Sequence, residues 1–473
     1  MKKLLGIVVI CLILSANNYA NAISNLNKKR LAGFNKWLHE NGHHELVKEA
    51  QSELCKDEPK YSVVWYYNNC DQPEYKNNLK IELYEFKGKK STWIPNNEKP
   101  NDDTLLFQLY NWTYSIDRLE PIPDKYEIGP SKKPFKFKTN LRDDKYINKQ
   151  LEKTALISYL LFEDGKITID KFTPKNRFGK FINKKTKLRS NSVGKSMVSY
   201  VVGHAICAGY IDSVHARLND WPLIENTLYH DQKLIDILNM YSGDQEYITS
   251  VQGLKKDIVD TSSINIRWTS FSDNQIDLKK FVDLFKNTKK SKPEFSYHSL
   301  NTQLAFNYVL FKTGDKFEKL LEKIFKEKAQ IEDGVFFYKV RNSSKERGNA
   351  NNMFYATRYD YLRIAKAMMD DWQNDTCEGK YLKSLFKNSV DKENKKKKKL
   401  GIPLDWYYAD RYAGQFHTHY KGFDKERELM GMHGLGGQHM VIDFDRSRII
   451  ITNSIYQNHN FQKSIFRKIK KGK

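Results

Sequence analysis

The sequence predicts an α+β fold in which helices flank an antiparallel sheet and a helical subdomain packs beside it. Three observations carry this. Apolar and alternating segments joined by tight-turn residues occur near both ends of residues 154–454. Helical apolar spacing with recognisable caps fills the stretch between them. The 473 residues are 40% hydrophobic and 13% aromatic, enough apolar surface to fold one large domain and an extra segment. Strands at both ends with helices between imply one sheet assembled from N- and C-terminal strands.

Taken in order, Lys2 and Lys3 precede an apolar run over 4–14 and the small-x-small site Ala20-Asn21-Ala22. This is the layout of a cleavable signal peptide over 1–22, and an uncleaved anchor is the alternative. The run is too short to span a bilayer and no second long one follows, so no stable membrane span is expected after cleavage. A periplasmic or secreted protein is the expectation. Residues 23–144 read as an accessory region, with an amphipathic helix over 31–46, a cysteine-bounded stretch holding Trp65, and a Lys-, Pro- and Asn-rich run over 96–138.

The regular domain is expected over 145–460. Residues 155–162 and 166–172 flank Asp164-Gly165, a type I′ hairpin signal. A helix begins at Ser192, with Val193, Met197, Val201, Val202, Ala205 and Ile206 at helical spacing, and ends at Gly209. Another opens on the capping pair Thr357 and Asp360. Residues 438–444 and 448–454 form a second hairpin, and a basic amphipathic tail occupies 461–473. Lysines 395–399 mark an exposed loop. Five cysteines do not make a disulfide scaffold. Cys55 and Cys70 are close enough for a local bridge, whereas Cys207, in an apolar helix, is expected as a buried thiol.

Lys and Arg total 80 against 57 Asp and Glu, a net charge of +23. The excess is mostly Lys and spread along the chain. Arg clusters interleaved with aromatics are absent, which argues against nucleic acid and leaves a basic surface open to an anionic envelope polymer. No CxxC occurs, and the His43-His44 and His417-x-His419 pairs lack further ligands, so neither metal nor cofactor is expected.

The strongest local signal is Ser192-Val193-Gly194-Lys195 at a helix start. A three-residue offset brings hydroxyl and amine onto one face, where a lysine of lowered pKa can take the serine proton. Alone the pattern is weak in a Lys-rich chain, and on this evidence an ordinary capped helix explains it better. Gly194-Lys195-Ser196 also imitates the end of a phosphate-binding loop, but the required earlier glycine is Arg189.

Further blocks follow in a fixed order. Gly165-Lys166-Ile167 leads into a strand, Ser190 to Ser196 opens a helix closing at Gly209-Tyr210-Ile211, and Leu238-Asn239-Met240-Tyr241-Ser242-Gly243 comes next. Then come Phe295-Ser296-Tyr297-His298-Ser299-Leu300-Asn301-Thr302, Ala356-Thr357-Arg358-Tyr359-Asp360, and Met432-His433-Gly434-Leu435-Gly436-Gly437-Gln438. With this order, residues 145–457 resemble the serine β-lactamase-like superfamily, in its class C β-lactamase, DD-peptidase and esterase branch, and within it the 6-aminohexanoate-dimer hydrolase type.

The resemblance implies a β-lactamase-like fold and a serine hydrolase. Ser192 would be the nucleophile, with Lys195 and Tyr297 sharing acid–base work. Backbone amides of Ser192 and of about Leu435 would form the oxyanion hole, and His433, Gly434 and Ser299 would meet substrate. Two departures bear on substrate: Ser299 stands where β-lactamases of this branch carry Asn, and Met432-His433-Gly434 replaces their Lys-Thr-Gly. His433 could partly replace that missing cation. A small amide or ester is therefore expected as substrate rather than a β-lactam, with Trp406, Tyr407 and Tyr408 expected around the pocket. The alternatives are a catalytically weak penicillin- or peptidoglycan-binding homologue and a basic envelope-binding protein.

Overall fold

The structure is a computed structural model that describes residues 30–114 apart from short gaps, 124–249, five residues between 253 and 259, 276–392 and 408–470. The chain divides into two compact units, residues 1–120 and 121–473. The expected signal peptide, the lysine run 395–399, Trp406 and Tyr407 lie outside the described residues.

In the first unit a helix through residues 30–40 packs against a second helix, Asp102–Thr113. It is shorter than the expected 31–46, because residues 47–50 leave to form a strand. Phe34, Trp37, Phe107 and Tyr110 supply the contact, with Phe34 and Phe107 edge-to-face at 5.2 Å. Asn101 caps the second helix by accepting from the Thr104 amide. The strands Val47–Ala50 and Glu74–Asn77 pair antiparallel, and Cys55 is bonded to Cys70 between them.

The strands of the second unit's two larger sheets are labelled β1 to β13. The first sheet comprises β1 (Asp124–Ile128), β5 (Leu188–Arg189), β6 (Val335–Lys339) and β7 (Ala350–Ala356), in the order β1-β6-β7-β5. The other has nine strands: β2 (Lys138–Thr139), β3 (Leu156–Glu163), β4 (Lys166–Phe172), β8 (Val390–Asp391), β9 (Ala409–Ala413), β10 (Phe416–Tyr420), β11 (Leu429–Gly434), β12 (Gln438–Asp443) and β13 (Arg448–Ser454). Its order is β8-β9-β10-β11-β12-β13-β3-β4-β2, antiparallel except for β2 beside β4. The N-terminal hairpin β3–β4 thus docks on the C-terminal strand β13, with Thr452 opposite Tyr159. Asp164 and Gly165 both have positive φ, as the type I′ turn requires.

The longer helices are α1 (Lys145–Lys153), α2 (Val193–Cys207), α3 (Leu300–Thr313), α4 (Arg358–Gln373) and α5 (Cys377–Lys387). Ile147 and Leu151 of α1, one helical turn apart, bury into a core with Tyr159, Leu161, Val441 and Ile450. Phe461, Ile465, Phe466 and Ile469 complete that core. The basic amphipathic stretch expected as a separate tail is therefore a structural layer under the sheet, anchored by its apolar face. Packing of α4 on β13 and of α2 on α3 and β7 extends the fold towards the helical side.

Two expectations need amendment. The compact unit starts at residue 121 rather than 145, because β1 and β2 supply strands to both sheets. Cys207 is not a buried thiol. It is bonded to Cys377, with Cα atoms 5.7 Å apart, which ties the end of α2 to the start of α5. Sequence position hid this pair, since the partners stand 170 residues apart and only the α2–α5 packing brings them together.

Candidate active site

The turn into α2 presents Ser192. Asn191 is left-handed at φ +47°, a conformation Asn tolerates better than most residues. Ser190 fastens the turn to β7: its amide donates to the Phe354 carbonyl at 2.8 Å and its Oγ accepts from the Phe354 amide at 3.0 Å. Gly194 is required by close approach, because a Cβ there would stand 2.0 Å from the Asn352 carbonyl oxygen. Ser192 occupies the N-cap position yet makes no capping bond. A serine at that position ordinarily accepts from an amide of the first turn. Here its Oγ accepts from Lys195 Nζ at 3.4 Å instead, so the ordinary capped-helix explanation fails.

Lys195 is 5% exposed, and burial lowers its pKa to about 8. Its Nζ also donates to Ser299 Oγ at 3.0 Å and lies 5.2 Å from the centre of the Tyr297 ring. Ser299 repeats the pattern of Ser192: it is the N-cap of α3 and makes no capping bond. Two helix starts thus give their uncommitted hydroxyls to one buried amine.

The segment carrying Tyr297 and Ser299 is pinned from behind. His298 Nε2 lies 3.0 Å from the Asp244 carboxylate, which also accepts from Tyr229 at 2.9 Å. Burial pushes the Asp244 carboxyl up, but His298 and the hydroxyls of Ser242 and Tyr229 outweigh it and hold it below its ordinary value. Gln415, at the β9–β10 turn, locks α2 to α3: its carbonyl accepts from Ser196 and its side chain from Thr302, at 2.6 and 2.8 Å.

Across from Ser192, β11 closes the other side. Asn191 Nδ2 donates to the Leu435 carbonyl at 2.7 Å. Gly434 fits where a Cβ would come 2.5 Å from the Ser190 carbonyl oxygen. Leu435 is 36% exposed at the rim. His433 is placed differently from the expectation of a substrate-facing group. Its Nε2 lies 2.6 Å from the Tyr420 hydroxyl and its Nδ1 2.9 Å from His439 Nδ1, and burial, then Lys392, lower its pKa to about 3. It is neutral at physiological pH, with both nitrogens engaged. Tyr408 stacks on Phe461 and packs with the core beneath the sheet.

The structure therefore brings Ser192, Lys195, Ser299 and Tyr297 together, sets Gly434 and Leu435 beside them, and turns His433 into a buried network. Gln415 and Lys392 were not singled out from sequence, Asn191 only as part of the serine block, and His417 only as half of a pair lacking further metal ligands. Asn191 carried a signal, being a residue suited to positive φ directly before the serine. Lys392 carried none, as one lysine in a lysine-rich chain.

This architecture is found among solved structures. A Bacillus anthracis protein described as a 6-aminohexanoate-dimer hydrolase superposes with a TM-score of 0.56 at 12% identity, over 80% of this chain and 97% of that one. A penicillin-binding protein from Bacillus halodurans gives 0.47 at 14% identity, over 70% and 99%. FmtA from Staphylococcus aureus gives 0.47 at 14%, over 72% and 94%. No protein-family profile and no curated protein sequence matches the chain. The chain thus has a β-lactamase-like fold.

Proposed function

We propose that the protein is an exported serine hydrolase that cleaves an amide or ester bond of a small substrate through an acyl-enzyme on Ser192. The observation that carries this reading is the Ser192 hydroxyl, freed from its capping duty and bonded to a buried lysine of lowered pKa. In its neutral form Lys195 takes the Ser192 proton as Oγ attacks the substrate carbonyl. The amides of Ser192 and Leu435 are suited to the oxyanion, the first helped by the positive end of α2. The proton passes to the leaving group by way of Lys195 or Tyr297, and water then releases the acyl group from Ser192.

The substrate class follows from charge. Met432 is apolar, and His433 is neutral and fully occupied, so neither supports a fixed cation on β11 for a β-lactam carboxylate. A linear amide or ester suits this site better. The net charge of +23, or 23 − 2 = +21 without Lys2 and Lys3, favours anionic substrates or envelope polymers at the encounter stage. Two disulfides fit an oxidising compartment, periplasmic or extracellular. Among the described residues no helix is long and apolar enough to cross a membrane.

The test is direct. The mature protein and Ser192→Ala are treated with a fluorophosphonate probe and assayed on p-nitrophenyl acetate. Labelling and turnover in the wild type alone are expected. Equal labelling of both, or of neither, rejects Ser192 as the nucleophile.

A further inference from the structure

A second buried lysine stands close to this site. Lys392 follows β8 at once, its amide donating to the Asp410 carbonyl at 3.0 Å, and only 1% of its surface is exposed. Its Nζ lies 3.2 Å from His417 Nδ1. An ammonium can only donate, so beside a charged Lys392 the His417 Nδ1 accepts and the neutral ring carries its proton on Nε2. His417 is neutral: burial first, then Lys392, hold its pKa well below the ordinary range. The same two causes act on His433. Lys392 is thus the neighbouring charge to which both imidazoles respond.

That charge is one imidazole away from Tyr297. The His417 ring centre is 6.5 Å from that of Tyr297 and 5.2 Å from that of Tyr412, which meets Tyr297 edge-on at 5.9 Å. Among the described residues, the titratable groups around Tyr297 include Lys195 from α2, Tyr412 from β9 and His417 from β10, and Tyr241 packs against the same core residues. His417 in turn faces Lys392, His433 and His439.

We propose that Lys392, acting through His417, is the electrostatic and positioning partner of Tyr297 in acyl transfer. The inference rests on the hydrolase reading and deepens it. When Tyr297 gives its O–H proton to the leaving nitrogen or oxygen, the phenolate left behind is stabilised by the Lys392 cation. It regains a proton from the water whose oxygen attacks the acyl carbonyl, and Lys195 returns its proton to Ser192 Oγ as the acyl group leaves, so protons balance over the cycle. Lys392 touches no substrate. Its contribution is the field and the fixed tautomer of His417.

The experiment reads Tyr297 itself. Tyrosine labelled with carbon-13 at Cζ is followed by NMR against pH, the Tyr297 signal being the one lost in Tyr297→Phe. In Lys392→Met the Tyr297 midpoint is expected to rise by about one pH unit, roughly tenfold in phenolate at a given pH. Lys392→Arg should restore it. Lys392→Gln, which keeps a donor to His417 without the charge, guards against misfolding of the Met variant and must show the same rise. An unmoved midpoint in either folded neutral variant overturns the proposal. On p-nitroacetanilide, whose leaving amine must be protonated, kcat should fall about tenfold, and unchanged kcat likewise overturns it. Because the NMR midpoint needs no turnover, a wild type that fluorophosphonate fails to label would remove the hydrolase reading while this measurement still decides the role of Lys392.

Discussion

At the scale of single residues, the site turns on where two serines spend their hydroxyls. An N-cap serine that caps contributes about 1 kcal/mol to its helix. Ser192 and Ser299 both forgo this and meet Lys195 instead. Local stability is given up for the two contacts with Lys195 that the proposed mechanism uses. Lys195→Ala should accordingly lower acylation by about 10²- to 10⁴-fold, the usual range for general-base assistance, measured by single-turnover labelling. The pH dependence has a definite sign. The amine is the base only when unprotonated, so acylation should climb as pH rises through about 8 and level off above it. A rate independent of pH between 6 and 9 would contradict this role.

At the scale of elements, legibility from sequence followed the range of the forces involved. The β3–β4 hairpin, the α2 start and the capped α4 were readable because local rules fix them: paired positive-φ residues, a three-residue offset, a Thr accepting from the Asp360 amide. The Ser192 to Lys195 contact was readable for the same reason. What escaped depends on partners far along the chain. Lys392 meets His417 only because β9 and β10 fold back beside β8, and Cys207 meets Cys377 only through packing of α2 and α5. His433 was misjudged because its role was carried over from a motif position, which does not say what side chains wait around it. The Cys207–Cys377 crosslink closes a long loop, for which chain-entropy arguments give about 5 kcal/mol, against about 3 for the shorter Cys55–Cys70 loop. Cys377→Ser should lower the melting temperature by more than Cys70→Ser, read by calorimetry without reductant.

For the molecule as a whole, the row His417, His433, His439 and His459 makes acid the vulnerable direction. Burial is the leading cause of a lowered pKa in each, to about 3 for His433 and about 4 for His459. The unfolded chain binds these protons near pH 6.5, the folded protein only at lower pH. Stability contributed by the neutral rings is therefore complete above about 6.5 and declines as pH falls towards about 4. His459 is 5% exposed, and neither ring nitrogen has a hydrogen-bond partner among the described residues. His459→Phe should thus flatten the fall in melting temperature between pH 7 and 5 while preserving the fold. An equally steep fall would place the acid sensitivity elsewhere.

The strand order of the nine-stranded sheet also bears on how the protein comes into being. With β3 seated on β13 and residues 461–469 sealing the core beneath, the strands over 156–172 wait for residues 448–469. Such long-range closure makes folding slow. On the export proposed above, that delay would keep the polypeptide threadable through a translocation pore, with the order of the strands standing in for a holding chaperone until β13 has crossed.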